Sequence, residues 1–125
     1  MRGTVLIVDD SSVMRKIVMR ALVQAGLEFS SVLEAADGSE ALAHVSARPV
    51  DLILTDISMP VMDGLEFLRQ MRERQLAVGI PVVMITTEGS EQHVLAAIEM
   101  GARGYIRKPF TPEQVKQRVL PLMQA

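Results

Sequence analysis

The stretch DLILTDISMP at residues 51–60, followed by Asp63-Gly64, decides how the rest of the chain is arranged. Its apolar run at residues 52–54 is typical of a short strand that is covered on both faces of a sheet. Met59-Pro60 and Asp63-Gly64 supply the turn chemistry that normally follows such a strand. Asp56 therefore lies where a buried strand reaches the surface. On this stretch alone, Asp56 is either a residue that caps the loop or a functional group at the carboxyl edge of a sheet.

The composition indicates one globular domain over residues 1–125. Hydrophobic residues make up 49% of the chain, which is enough for a packed core. The formal net charge of −2 provides no basic footprint for nucleic acid or an anionic membrane. Cysteine is absent, which excludes disulfides, thiolate metal sites and thiol catalysis. No apolar run reaches the roughly 18 residues of a membrane span, so we expect a cytoplasmic protein.

Strand and helix patterns alternate five times along the chain. The predicted strands cover residues 4–8, 31–35, 52–54, 81–86 and 104–107. The predicted helix caps are Ser11 or Ser12, Asp37, Asp63 and Thr111, and the fourth helix covers residues 90–100. The side chains expected to face the core are Met14, Ile17, Val18, Ala21, Leu22 and Ala25, then Ala41, Leu42 and Val45, then Leu65, Leu68 and Met71, then Val94, Leu95, Ala97 and Ile98, and finally Val115, Val119 and Leu122.

This alternation predicts an α/β fold, a doubly wound (βα)5 domain with a five-stranded parallel sheet and helices on both faces. Five strands favour the flavodoxin-like order 2-1-3-4-5, with right-handed crossovers. In that order the first and third strands are adjacent, so Asp9 and Asp10 should share one crevice with Asp56. Thr86 and Lys108 should lie at the ends of the neighbouring strands. This convergence favours a functional role for Asp56.

Three carboxylates in one crevice need a counter-charge. Two unit charges about 4 Å apart cost on the order of 4 kcal/mol at an effective dielectric constant of about 20. Either a proton held by a raised pKa or a bound cation removes this cost. Oxygen ligands without cysteine or paired histidines favour a hard ion, and Mg²⁺ is the best match.

With Lys108 and Thr86 added, the crevice has the groups that phosphoryl transfer requires. A carboxylate is the nucleophile and forms an aspartyl phosphate. The metal and Lys108 neutralise the phosphoryl oxygens, and Thr86 donates a hydrogen bond to one of them. His44 and His93 fall within helical patterns, and we expect neither to be catalytic.

The joint order of these motifs resembles the receiver domain of response regulators, most closely the single-domain chemotaxis (CheY) type. CheY is itself a standard example of the 2-1-3-4-5 order. The resemblance covers essentially the whole chain. It depends on Asp9-Asp10, Asp56, Met59-Pro60, Asp63-Gly64, Thr86, Tyr105 and Lys108-Pro109.

The resemblance implies a metal site around a phosphoacceptor. Asp56 corresponds to the phosphoacceptor, and Asp10 and Asp56 correspond to direct Mg²⁺ ligands. Asp9 corresponds to an acid that acts largely through water. Ser58 corresponds to the residue whose backbone carbonyl binds the metal.

The resemblance also implies a phosphate-sensing set. Thr86 and Lys108 correspond to the two residues that contact the phosphoryl group, and the peptide bond between Lys108 and Pro109 is cis in such proteins. Tyr105 corresponds to the aromatic switch that turns inward when Thr86 is drawn to the phosphoryl group. Thr87 replaces a smaller residue near the phosphate, and Glu88 is placed to orient or exclude the hydrolytic water.

The implied function is Mg²⁺-dependent phosphorylation by a histidine kinase within a two-component phosphorelay of the chemotaxis type. The switched surface would be the face of the fourth helix, fifth strand and fifth helix, which binds a downstream protein. We expect no enzyme activity beyond slow autophosphatase activity, and no nucleic-acid or membrane partner.

Three alternatives remain open from the sequence. A haloacid-dehalogenase-type phosphatase would place its two acids two residues apart after the first strand and add a cap domain. A flavin-binding module would need a hydroxyl- and glycine-rich phosphate loop and stacking aromatics. A scaffold that keeps only the fold would take no phosphoryl group.

Overall fold

The computed structural model describes residues 3–87 and 91–123. Within these ranges strands and helices alternate in chain order: β1 (Thr4–Val8), α1 (Ser12–Gln24), β2 (Ser31–Ala35), α2 (Gly38–Ala47), β3 (Leu52–Thr55), α3 (Gly64–Glu73), β4 (Val82–Thr86), α4 (Glu91–Glu99), β5 (Gly104–Arg107) and α5 (Pro112–Met123). The strands are parallel and follow the order β2-β1-β3-β4-β5. The predicted fold class and strand order are confirmed.

The sheet has one apolar cluster on each face. Successive residues of a strand point to opposite faces, so Leu6 and Ile53 join one cluster while Val5 and Leu52 join the other. Helices α2, α3 and α4 cover the first face, and α1 and α5 cover the second. Burial on both faces explains why β1, β3 and β4 have almost continuously apolar sequences.

Side chains at the helix starts satisfy backbone donors as the sequence predicts. Asp37 and Asp63 each accept a hydrogen bond from the backbone N–H three residues later. Thr111 accepts from the N–H of Gln114, whose side chain accepts in turn from the N–H of Thr111, which completes a reciprocal capping box. In α1 the cap is Ser11 rather than Ser12. These caps fix where each helix leaves the functional edge of the sheet.

Some predicted core positions are wrong. Ile17, Leu95 and Ile98 are exposed, although the apolar spacing had placed them inward. Among the α4 residues whose side chains are described, 92–99, only Ala97 is fully buried, and at about 100° per residue Leu95 points roughly 160° away from it. The helix therefore presents apolar side chains to the surface. Ser90, the predicted first residue of this helix, lies outside the described residues.

The largest fully buried side chain, Phe67, was missing from the predicted core. It lies four residues before Met71, which is also buried, so the same helical spacing that selects Met71 also selects Phe67. In the described part of the chain, no helix combines the length and the apolar character that a membrane crossing requires.

Candidate functional site

Two acidic residues continue adjacent strands past the end of the sheet. Asp9 follows β1, and its backbone N–H donates to the carbonyl of Ala35 at 3.0 Å. Asp56 follows β3, and its N–H donates to the carbonyl of Val8 at 2.9 Å. Because these hydrogen bonds hold the backbone of both residues, their carboxylates are anchored side by side at the carboxyl ends of the strands.

Asp9, Asp10 and Asp56 form an acid cluster. Each residue contributes one carboxylate oxygen, and these oxygens all lie within 4.8 Å of one another. Asp9 is buried, Asp56 is partly buried and Asp10 is exposed. The predicted convergence of the three acids in one crevice is confirmed.

Lys108 bridges two members of the acid cluster. Its Nζ donates to Asp9 Oδ2 at 2.7 Å and to Asp56 Oδ2 at 3.0 Å. Its side chain is 9% exposed, and its backbone N–H donates to the carbonyl of Thr86 at 2.9 Å. The ends of β4 and β5 are therefore tied together at the point from which the lysine reaches the acids.

Backbone donors orient the two carboxylates that contact Lys108. Asp56 Oδ1 accepts from the N–H of Ile57 at 2.7 Å, and Asp9 Oδ1 accepts from the N–H of Ser11 at 2.9 Å. Each carboxylate therefore has one oxygen fixed by the backbone and the other directed to the lysine. Such preorganised groups need little rearrangement before a reaction.

Burial and neighbouring charges shift pKa values in opposite senses. Burial raises the pKa of the Asp56 carboxyl, and the hydrogen bond and charge of Lys108 oppose this without cancelling it. Burial alone would lower the pKa of Lys108, but hydrogen bonds to Asp9 and Asp56 outweigh it and raise that pKa. Lys108 thus stays charged. With all three acids ionised, a single ammonium leaves two negative charges of the cluster uncompensated.

The remaining predicted site residues lie at different distances from this centre. Thr86 is buried at the end of β4, beside Arg107 of β5 in register. Ser58 is exposed two residues beyond Asp56. Tyr105 is 38% exposed, with the Arg118 guanidinium carbon 6.0 Å from its ring centroid. Tyr105 is therefore at the surface rather than inside the acid cluster.

Other positions singled out from the sequence are readily placed. The peptide bond between Lys108 and Pro109 is cis, as the resemblance implies. Thr87 is exposed, and Glu88 lies outside the described residues. Nε2 of His44 lies 2.9 Å from the carbonyl oxygen of Glu34.

Sequence reasoning missed Arg15. Its Nη1 donates to the carbonyl of Asp9 at 2.6 Å, and its Nε donates to Glu34 Oε1 at 2.9 Å. The arginine thus ties the acidic turn after β1 to the neighbouring strand β2. No local motif connects residues 15 and 34, because their contact depends on the pairing of β1 with β2.

Gly64 leaves room for the backbone of Asp56. A Cβ added at Gly64 would lie 2.2 Å from the Asp56 carbonyl oxygen and 3.0 Å from Ile57 Cα. The N–H of Gly64 donates to the Ile57 carbonyl at 2.8 Å, which holds the start of α3 against this turn. Any side chain at residue 64 must therefore displace the turn that carries Asp56.

We predict that Gly64→Ala destabilises the fold by about 1–3 kcal/mol, as overpacking against backbone does. Urea unfolding of the variant and of wild-type protein measures this difference. Gly104→Ala is the matched control, because an added Cβ there has no neighbour within 4 Å. Equal stability of Gly64→Ala and wild type would contradict the contact.

The comparisons with known proteins agree with this geometry. The family model described as "Response regulator receiver domain" matches residues 5–120. The chain belongs to this family. Helicobacter pylori chemotaxis protein CheY1 is 41% identical over 115 residues, which cover 91% of each chain. The Campylobacter jejuni CheY homologue is 39% identical, covering 91% of this chain and 87% of its own.

Solved receiver structures have the same architecture. The structure of Vibrio cholerae CheY4 superposes with a TM-score of 0.84 at 38% identity, covering 98% of this chain and 99% of that one. Together with the relatives, this makes the protein a two-component response regulator of the chemotaxis type. Receivers of this family are phosphoacceptor switches.

Proposed function

We propose that Asp56 is the phosphoacceptor of this receiver and that Lys108 and Thr86 act on the phosphoryl group. The observation that supports this most directly is the position of Lys108, whose Nζ contacts both Asp56 and Asp9. Because this ammonium is buried beside the nucleophile, it can move its hydrogen bond from the carboxylate to a phosphoryl oxygen as the negative charge moves there. Thr86 is buried at the neighbouring strand end and would supply a hydroxyl donor.

The acid cluster fits Mg²⁺. Asp9, Asp10 and Asp56 offer only oxygen ligands, within 4.8 Å of one another, and among the described residues Lys108 is the only cation that forms an ion pair with them. Mg²⁺ prefers such hard ligands and retains several waters. Asp10 and Asp56 would hold it directly, Asp9 largely through water, and Ser58 through its backbone carbonyl. When bound, the ion would neutralise negative charge on the incoming phosphoryl group.

The chain's own residues then account for the transfer. A carboxylate oxygen of Asp56 forms the new O–P bond while the bond from phosphorus to the donor breaks, and the donor leaves with that electron pair. Lys108 moves its hydrogen bond from the carboxylate to a phosphoryl oxygen. The N–H of Ile57 keeps the other carboxylate oxygen in place. The physiological donor would be the phosphohistidine of a histidine kinase.

Phosphorylation would favour a conformation that the unmodified protein already samples. The surface formed by α4, β5 and α5 would read out this shift, because it carries the exposed apolar side chains Leu95, Ile98 and Tyr105. A downstream protein would bind there, with Tyr105 turned inward. We propose a cytoplasmic switch with slow autophosphatase activity at most, and with neither nucleic acid nor membrane as partner.

We predict that acetyl phosphate adds one phosphoryl group to the protein in the presence of Mg²⁺ and none in the presence of excess EDTA. The metal dependence is expected because the uncompensated carboxylates repel an anionic donor. Intact-mass spectra at matched times measure the adduct. A protein that stays unmodified with Mg²⁺ would instead be a phosphorylation-independent scaffold, and rapid turnover of small phosphate esters would indicate a phosphatase.

A further inference from the structure

The loop between α3 and β4 has an unusual backbone and lies at the amino-terminal ends of the strands, opposite the acid cluster. Gln75 and Ala77 have positive φ angles of 53° and 51°, and Gly79 follows with 80°. The left-handed conformation costs residues with a Cβ about 1–2 kcal/mol each. Strained backbone of this kind is found preferentially at functional sites. Its effect here is to present Val78, which is 77% exposed.

A groove beside this loop has an apolar floor. Its volume is about 520 Å³, which falls within the range that binding sites occupy. We call it the edge groove, and among the residues that line it are Leu68, Met71, Arg72, Leu76, Val82 and Met100. Val78 stands at its border and also lines a second groove, of about 460 Å³, on the other side of the loop.

Three arginines lie at the border of the edge groove, and we call them the arginine rim: Arg72 is a lining residue, whereas Arg74 and Arg103 lie next to lining residues. Arg72 donates to the carbonyl of Glu99 at 3.3 Å, and Arg103 donates to the carbonyl of Gly79 at 3.3 Å. Arg74 is exposed on the same loop. Across residues 3–87 and 91–123, no carboxylate forms an ion pair with any of these three arginines. Each guanidinium keeps further N–H donors for a ligand.

We propose that the edge groove binds a short segment of a partner protein in which large apolar side chains alternate with carboxylates. The apolar floor would bury the hydrophobic side chains, and Arg72 and Arg103 would pair with the carboxylates, for which the guanidinium fork is well shaped. The three arginines supply positive charge next to the exposed acids Glu73, which pairs with Arg69, and Glu99, so the complementarity is local and does not follow from the net charge of −2.

The charge, the apolar floor and the concave shape of the edge groove each argue against another occupant. A second copy bound through the same face would bring two arginine rims together, because a two-fold contact pairs a patch with itself. A nucleic acid would leave the apolar floor uncovered. A bilayer requires protruding apolar groups, whereas this site is concave apart from Val78.

The test uses a short fluorescein-labelled peptide of alternating glutamate, leucine and phenylalanine, and a matched peptide with glutamine in place of glutamate. We expect saturable binding of the first, with amide chemical-shift changes centred on residues 72–82 and 100–103. Arg72→Glu and Arg103→Glu should each raise Kd about tenfold or more. Val78→Asp provides a second variant at an exposed position. Arg20→Glu, on the exposed side of α1, is the control and should leave Kd unchanged.

Several outcomes would overturn the proposal. These are equal binding of the glutamine peptide, shift changes confined to other surfaces, self-association through the groove without peptide, and binding to anionic phospholipid vesicles in preference to the peptide. Acetyl phosphate should still modify Arg72→Glu and Arg103→Glu at the wild-type rate. Failure here is therefore distinguishable from failure of the phosphoacceptor assignment.

Discussion

Asp56→Asn is expected to abolish the phosphoryl adduct completely while the protein stays folded. The amide oxygen carries no negative charge and cannot act as the nucleophile. Asparagine keeps nearly the same shape and can still accept from the N–H of Ile57, so the turn after β3 should be retained. Intact-mass spectra after treatment with acetyl phosphate and Mg²⁺ measure the loss.

In the absence of metal, Asp56→Asn should be at least as stable as wild type at pH values above the folded pKa of Asp56. Burial raises the pKa of Asp56, so the ionised carboxylate is less favourable in the folded protein than in the unfolded chain. The wild-type acid therefore reduces stability as the pH rises above its unfolded pKa, and asparagine removes this cost. Urea unfolding of both proteins in EDTA, at one pH near the unfolded pKa of Asp56 and at one above its folded pKa, measures the difference in stability.

Asp51→Asn is the matched control for the adduct. Asp51 lies at the other end of β3, where its carboxylate accepts from the N–H of Thr4 at 2.8 Å. This variant should take up the phosphoryl group like wild type. An adduct on Asp56→Asn, or a loss of the adduct in Asp51→Asn, would show that Asp56 is not the phosphoacceptor.

The convergence at the sheet edge was predictable because it follows from two local signals. Apolar runs mark the buried strands, and the strand order brings the ends of β1 and β3 together, with Asp9 and Asp56 just beyond them. The double contact of Lys108 could not be predicted as geometry, because it depends on how β5 sits beside β4. The bond from Arg15 to Asp9 is a tertiary contact with no sequence pattern.

The misassigned helix positions have a different cause. Apolar spacing shows which residues share a stripe, but not how wide a stripe the sheet covers. On α4 the covered stripe is little wider than Ala97, so Leu95 and Ile98 remain at the surface. The same sequence feature thus misled the core prediction and leaves two large apolar side chains at the surface. The arginine rim of the edge groove was not predictable either, because it combines residues from α3, the following loop and the turn before β5.

Lys108→Met is expected to destabilise the metal-free protein by about 3 kcal/mol at pH 8. Methionine fills a similar volume but leaves the carboxylates of Asp9 and Asp56, which are mostly buried, without their ammonium partner. Loss of the cation removes the hydrogen bond and charge that oppose burial at Asp56, so the pKa of that carboxyl rises further above its unfolded value in the folded variant. Stability should therefore recover as the pH falls, because the folded state then binds more protons than the unfolded state.

The adduct should still form on Lys108→Met, but at a rate lower by about 10²-fold, since Asp56 remains and one charged donor is lost. Mg²⁺ should stabilise this variant more than wild type, because the ion no longer competes with an ammonium for the same carboxylates. Urea unfolding with and without Mg²⁺, together with adduct rates from mass spectra, separates the two effects. Lys116→Met, exposed on α5, is the control. If Lys108→Met matched wild type in EDTA at pH 8, Lys108 would not be a stabilising counter-ion of Asp9 and Asp56.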